Sequence, residues 1–216
     1  MSRSKRVALS QRVVHIGNRD ETRDELDQRW PALLEALGYI PIAVPNLLHN
    51  VDQWLKELEI SMIILTGGND LHHLEGATDA SQHRDETEAR MIGYAVTHEL
   101  PLLGVCRGMQ MMVCHFGGAL VQRVGHVATT HPITPLSSTM NLPLRSGPVN
   151  SFHNWVVESS GVPPHFEILA TSDDGAVEAI RHTTLPHAGV MWHPERPPYD
   201  DVDMRLVEVL HEQGTK

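Results

Sequence analysis

The chain has 216 residues, 41% of them hydrophobic and 20% charged, a balance close to the globular average and far from that of disordered chains. That length suits a single α/β domain with a sizeable buried core. A formal net charge of −10 repels phosphate backbones, because nucleic-acid binding relies on clustered Lys and Arg, so nucleic acid is excluded as the expected partner.

No apolar run approaches the roughly 20 residues that span a bilayer; the longest are Met62 to Leu65 and Leu102 to Cys106. The basic cluster Arg3 to Arg6 lies in a polar stretch with no apolar segment behind it, so residues 1–6 read as a disordered tail and 7–216 as one catalytic domain. The expectation is a soluble, cytoplasmic protein without a membrane partner. Two cysteines, Cys106 and Cys114, do not make a disulfide framework.

Val7 to Leu9 and Val13 to Ile16 form an apolar opening strand, and the polar Gly17 to Asp24 reads as the loop after it. From Glu25 to Leu37, the residues Leu26, Trp30, Leu33, Leu34 and Leu37 recur at helical spacing, with Pro31 marking a kink or a late start. Tyr39 to Val44, flanked and interrupted by Pro41 and Pro45, predicts a short or edge strand. Val51 to Leu58 predicts a short helix. Ser61 to Leu65 predicts a buried strand that stops at Thr66-Gly67-Gly68-Asn69-Asp70. A helix over Arg84 to Glu99, a strand over Leu102 to Cys106 and a helix over Gly108 to Phe116 follow. This alternation predicts an α/β fold with a mostly parallel central sheet flanked by helices. After Gly117, Pro148 to Phe152, Glu167 to Thr171, Val177 to Arg181 and Gly189 to Trp192 predict a small antiparallel addition in the C-terminal half. His131 to Ser146 reads as a surface excursion, and Asp203 to Leu210 as a closing helix.

The sharpest chemical feature is Gly104-Val105-Cys106-Arg107-Gly108, set between a buried strand and a helix. Small residues on either side of a nucleophile permit the tight turn of a nucleophile elbow, and a helix N-terminus favours a thiolate. Alone, the pentapeptide fits a buried structural cysteine equally well. His193-Pro194-Glu195 adds a base and a carboxylate that share a face in an extended segment. Thr66-Gly67-Gly68 adds a second glycine turn whose N–H groups, with that of Arg107, would form an oxyanion hole. The pattern is that of a Cys106, His193, Glu195 triad.

Together with the continuation Met109-Gln110, these three motifs resemble the class I glutamine amidotransferase family, over roughly residues 7 to 212. The resemblance implies a flavodoxin-like sheet, a glutamyl-thioester intermediate, and neither metal nor organic cofactor. Cys-Arg-Gly-Met-Gln, Arg84-Asp85-x-x-Glu88 and Asn150-Ser151-Phe152-His153 are similar to the γ-glutamyl hydrolase branch. Ser10-Gln11-Arg12, Glu21-x-Arg23-Asp24-x-Leu26-Asp27-x-x-Trp30 and Pro41-x-x-x-Pro45-Asn46 are similar to γ-glutamyl-CDP-amidate hydrolases of capsule phosphoramidate synthesis. By position, the resemblance assigns oxyanion N–H groups to Gly68 and Arg107. It places Gly67, Gln110, Ser151, Phe152 and His153 around the glutamyl group, and Asn69, Asp70, Arg12 and Arg23 on the leaving-group side.

Other readings stay bland. Arg84, Asp85 and Glu88 suit a solvated helix N-terminus. His72, His73, Glu75 and His83 match no metal-site spacing, and His126 and His131 read as loop residues. Cys114 reads as core. The expected partner is a small γ-glutamyl molecule, and a homo-oligomer is left open. Two rival functions remain: a glutaminase that passes ammonia to a synthase, and a catalytically silent binding member of the fold.

Overall fold

The computed structural model describes residues 5–136 and 142–214. The chain runs β1 (Arg6–Leu9), β2 (Arg12–Ile16), β3 (Glu21–Glu25), α1 (Arg29–Ala36), β4 (Ile40–Ala43), α2 (Val51–Glu57), β5 (Met62–Leu65), α3 (Gln82–Thr97), β6 (Leu102–Val105) and α4 (Arg107–His115). It continues β7 (Val121–Gln122), β8 (Val127–Pro135), β9 (Gly147–Phe152), β10 (Trp155–Val156), β11 (Phe166–Ser172), β12 (Val177–His182), β13 (His187–Val190) and α5 (Asp201–Gln213). Nine strands make one sheet in the order β4-β1-β5-β6-β13-β12-β11-β8-β9. Strands β4 to β13 of that order pair in parallel, and β12, β11, β8 and β9 continue it antiparallel.

Period-two alternation sends successive side chains of each parallel strand into two cores. Val7, Leu9, Met62, Ile64, Leu103 and Val105 pack with α1 and α5 through Leu33, Leu34, Leu206 and Leu210. Ala8, Ile63, Leu65 and Leu102 face α2, α3 and α4 through Leu55, Met91, Ile92 and Met112. Covering both faces of the parallel part explains why these strands read as continuous apolar runs.

Several expectations change. Val13 to Ile16 does not extend the opening strand: the chain leaves the sheet at Ser10, and β2 pairs with β3 in a separate two-stranded hairpin. The loop assigned to Gly17 to Asp24 is thus half strand, and α1 starts only at Arg29, with Pro31 in its first turn, where proline is tolerated. His131 to Pro135 lies in β8 rather than in an excursion; residues 137–141 of that stretch lie outside the described residues. Most of the expected tail also lies outside them, but Arg6 opens β1, paired with Ile40. Pro41 does sit on the edge strand, as its missing N–H requires. No helix among the described residues is long and apolar enough to cross a membrane.

Candidate active site

Parallel strands deliver their C-terminal ends to one edge of a sheet, where open α/β folds form their ligand crevice. Here that edge collects Ser10 after β1, Thr66 after β5, Cys106 after β6 and His193 three residues after β13. The sequence holds them far apart, and neighbouring strands bring them together.

Cys106 caps α4 with φ 52° and ψ −110°, a conformation that a side chain rarely adopts, and its N–H donates to the Val190 carbonyl at 2.7 Å. The flanking glycines are required by contact. A Cβ at Gly104 would meet the Gly108 backbone at 2.7 Å, and one at Gly108 would fall onto the Leu65 carbonyl. The elbow therefore depends on two glycines that let α4 close onto β5 and β6.

His193 and Glu195 are both buried, and Nδ1 of His193 lies 2.7 Å from Oε1 of Glu195. The segment is a turn rather than the extended run expected: the Arg196 N–H donates to the His193 carbonyl at 3.2 Å, which folds Glu195 back onto the ring. Nε2 of His193 has no oxygen or nitrogen partner among the described residues. Burial lowers its proton affinity, but the negative charge of a Cys106 thiolate, a hydrogen bond to it, and Glu195 together push His193 up to about 9. Such a balance favours the charged imidazolium form of His193. With its affinity raised from 6.5 to about 9, the imidazolium is retained below about 9 and lost as pH rises through that value. The kcat/KM profile is expected to fall on an alkaline limb near pH 9; a profile that stays flat well above that limb, on a substrate stable there, would contradict this pairing.

The Thr66-Gly67-Gly68 turn is organised from below by Arg84. Its guanidinium donates to the carbonyls of Thr66 at 2.8 Å and Gly67 at 3.0 Å, and to that of Gly68. In a trans peptide the C=O and the following N–H point in opposite directions, so drawing these carbonyls towards Arg84 turns the N–H groups of Gly67, Gly68 and Asn69 away from it. Glu88 accepts from Arg84 and from Arg107, whose other nitrogen is bound by Asp85. Arg84, Glu88 and Arg107 are fully or almost fully buried. The solvated helix N-terminus expected for Arg84 and Glu88 is therefore wrong: α3 begins directly under the turn, and the pair forms a buried ionic base for it. Gly67 itself has no room for a side chain, since a Cβ would lie 2.7 Å from Cε1 of His193. Gly67→Ala should lower kcat at least about a hundredfold, comparable to losing an oxyanion donor, because the added methyl displaces the His193 ring; steady-state kinetics checks this.

The remaining expected contacts divide. Arg12 lines the cleft with Glu25, Asp27, Trp30, Gly67, Gly68 and the His193 turn, and its stem packs 3.5 Å from where a Gly68 Cβ would stand. Gln110 is buried one turn after Cys106, its amide donating to the Trp155 carbonyl at 2.9 Å. Phe152 meets His193 edge-on, ring centroids 5.7 Å apart. Four others are not brought to the cleft as substrate contacts. Arg23 is half exposed and paired with Glu21. Asn69 binds the Val13 backbone through both of its amide atoms, and Asp70 accepts the Thr78 N–H, so both shape their own loop. His153 points away, because Val149, Ser151 and His153 occupy the buried face of the β9 segment while Asn150 and Phe152 take the other. Ser151 likewise directs its hydroxyl to the His126 carbonyl at 2.6 Å, leaving only its backbone for a ligand.

Two roles escaped the sequence reading. Asn150 clamps the His193 backbone from both sides, accepting its N–H at 2.9 Å and donating to its carbonyl at 3.1 Å. Arg196 lines the cleft and stacks over Phe152 at 3.9 Å. The position of Arg196 directly after His-Pro-Glu was the available signal. Cys114 packs against the second core, and burial pushes its thiol up to about 11.

A cysteine on a strand-to-helix elbow, between a glycine turn and a buried His–Glu pair at the carboxyl edge of a mostly parallel sheet, defines a class I glutamine amidotransferase-like hydrolase. The chain belongs to the peptidase C26 family, whose model matches residues 8–195. It is 28% identical over 191 residues to a γ-glutamyl-CDP-amidate hydrolase of Campylobacter jejuni, covering 88% of this chain and 90% of that one. The glutamine-hydrolysing GMP synthase component of Methanocaldococcus jannaschii is 31% identical over 166 residues, with 75% and 78% covered. The crystal structure of a GMP synthase-type protein from Thermoplasma acidophilum superposes with a TM-score of 0.73 at 20% identity, over 99% of this chain and 96% of that one, and so shares the fold.

Proposed function

We propose that this protein hydrolyses a γ-glutamyl amide through a glutamyl thioester on Cys106. The observation that carries the reading is the strained elbow cysteine beside a buried His193–Glu195 pair whose outer nitrogen is left for the thiol. The Cys106 thiolate attacks the γ-carbonyl carbon, and the oxyanion is held by the N–H groups of Gly68 and Arg107. His193, oriented by Glu195, gives its proton to the departing nitrogen. It then removes one from the water that hydrolyses the thioester, and glutamate leaves. No step calls for a metal or an organic cofactor.

Arg12 and Arg196 line the cleft together with Glu25 and Asp27, and Arg12 is also paired with Asp79 at 3.0 Å, so the two guanidinium groups are what the cleft offers to an anionic leaving group. With the likeness to a γ-glutamyl-CDP-amidate hydrolase, this makes γ-glutamyl-CDP-phosphoramidate the best candidate substrate, with a role in capsule phosphoramidate synthesis in a cytoplasmic setting. A second reading, a glutaminase acting with a synthase, is favoured by the similarity to the glutamine-hydrolysing GMP synthase component. Purified enzyme should be assayed against γ-glutamyl-CDP-phosphoramidate, γ-glutamyl-γ-aminobutyrate and free glutamine. The expected result is a preference of several orders of magnitude in kcat/KM for the nucleotide amide. Equal or better turnover of the aminobutyrate conjugate would move the substrate to a small amine, and activity on glutamine alone would favour the glutaminase. No turnover of any γ-glutamyl amide and no trapped thioester would leave a silent binding protein.

A further inference from the structure

On the buried side of β9, away from Cys106, four side chains from separate parts of the chain converge: His126 before β8, His131 in β8, His153 after β9 and Glu178 in β12. One ligand-capable atom from each lies within 4.8 Å of the others. Nε2 of His131 and of His153 stand 3.6 and 4.0 Å from Oε1 of Glu178. Four ligands around a tetrahedral ion, with bonds of about 2.0 to 2.2 Å, sit roughly 3.3 to 3.5 Å apart, so the cluster is somewhat wider than a closed site. Among the four, His126, His153 and Glu178 are 5% exposed or less.

The hydrogen bonds sort the ring nitrogens. Nε2 of His126 is 2.9 Å from Oδ2 of Asp174, Nδ1 of His153 is 3.1 Å from the Trp155 carbonyl, and Nδ1 of His131 is 3.3 Å from the Pro132 carbonyl. A nitrogen facing an oxygen acceptor carries the hydrogen, which leaves a lone pair on the other nitrogen of each neutral ring. Those other nitrogens, Nδ1 of His126 and Nε2 of His131 and His153, are buried without a hydrogen-bond partner among the described residues, as are both oxygens of Glu178. Asp174 is itself fixed by the Ser172 hydroxyl at 2.6 Å and the Ala176 N–H at 3.2 Å. An imidazole that donates one nitrogen to a held carboxylate or carbonyl while the other points at a shared centre is the supporting arrangement of metal-binding histidines.

We propose that His126, His131, His153 and Glu178 form a binding site for a divalent transition-metal ion of the zinc class. Three imidazoles and a carboxylate suit zinc, whereas magnesium and calcium favour all-oxygen sets. A metal-free account fits less well. A protonated Glu178 could donate to only one imidazole, and 3.6 and 4.0 Å both exceed hydrogen-bond length. Four protein ligands leave no open coordination position, so the ion would act as a clasp rather than in the chemistry. It would join β8, β9 and β12 behind Asn150, which holds the His193 backbone on the opposite face. The Glu178 carbonyl also accepts the N–H of Met191, two residues before His193.

The test uses the full chain, stripped with chelator and titrated with Zn²⁺ against a chromogenic competitor, with Co²⁺ as a spectroscopic probe. One equivalent per chain, the visible absorption of tetrahedral Co²⁺ and a raised melting temperature are expected for the parent. Glu178→Gln and the partly exposed His131→Ala should each weaken binding at least about a hundredfold. Cys106→Ala, read for metal binding only, should leave it intact. Circular dichroism confirms folding of each variant, and either of the two ligand variants suffices. Failure of the parent to bind, unchanged affinity in the folded ligand variants, or loss of binding in Cys106→Ala would overturn the site, the last by placing the ion on the nucleophile.

Discussion

Cys106→Ala is expected to lower kcat on the preferred γ-glutamyl amide by roughly four to six orders of magnitude, the scale on which removal of a triad member acts in hydrolases. The loss should fall on kcat alone, because the thiol makes its bond during reaction, while the proposed glutamyl contacts, Gln110 and the strand bearing Phe152, are untouched by the substitution. Substrate affinity measured by calorimetry should therefore persist in the variant, and so should its melting temperature. His193→Gln should cost a similar factor, and the double variant little more than either single one, since nucleophile and base act as one unit. Near-parental turnover by Cys106→Ala would remove the proposed mechanism outright.

Glu88→Ala carries the largest expected effect on stability. Glu88 is the shared acceptor of two buried guanidinium groups, and its removal leaves Arg84 and Arg107 with only the partly exposed Asp85 between them. Breaking a buried ion pair from one side typically costs about 3 to 5 kcal/mol, because a charge is stranded in a low-dielectric interior. Burial pushes the Glu88 carboxyl up, but Arg107 and Arg84 more than compensate and hold it below its ordinary 4.5. Its contribution is thus present above the ordinary carboxylate range and lost as pH falls through the lowered value. Urea unfolding at neutral pH measures the loss; a midpoint shift equivalent to less than about 1 kcal/mol would mean that water reaches the network. Activity should fall as well, since Arg84 would no longer hold the three carbonyls that set the glycine turn.

The difference between these two residues in the sequence is instructive. Cys106 was legible because an elbow is local: Gly104, Gly108 and the switch from an apolar strand to a helix lie within a few positions. The parallel strands and the helices behind them were legible for the same reason, their apolar periods being visible in short windows. Strand β3 was not, because Glu21-Thr22-Arg23-Asp24-Glu25 has no apolar face and exists as a strand only through pairing with β2. Glu88 read as solvent-facing because acidic residues at a solvated helix N-terminus suit the dipole. Only the return of the chain from β5 through α3 places that start beneath Thr66 to Gly68.

The sequence by itself thus determined the fold class, the elbow at Cys106, the order of the glycine turn and the His-Pro-Glu motif, and the resemblance that these carry. Tertiary structure decided what each polar group faces. It closed the His193–Glu195 turn, assigned Asn150 to the His193 backbone, turned His153 away from the cleft and gathered it with His126, His131 and Glu178. The physical reason is that periodicity reports which side of one element is apolar, whereas a charge or an imidazole takes its role from groups on other elements, and those distances exist only once the sheet has formed.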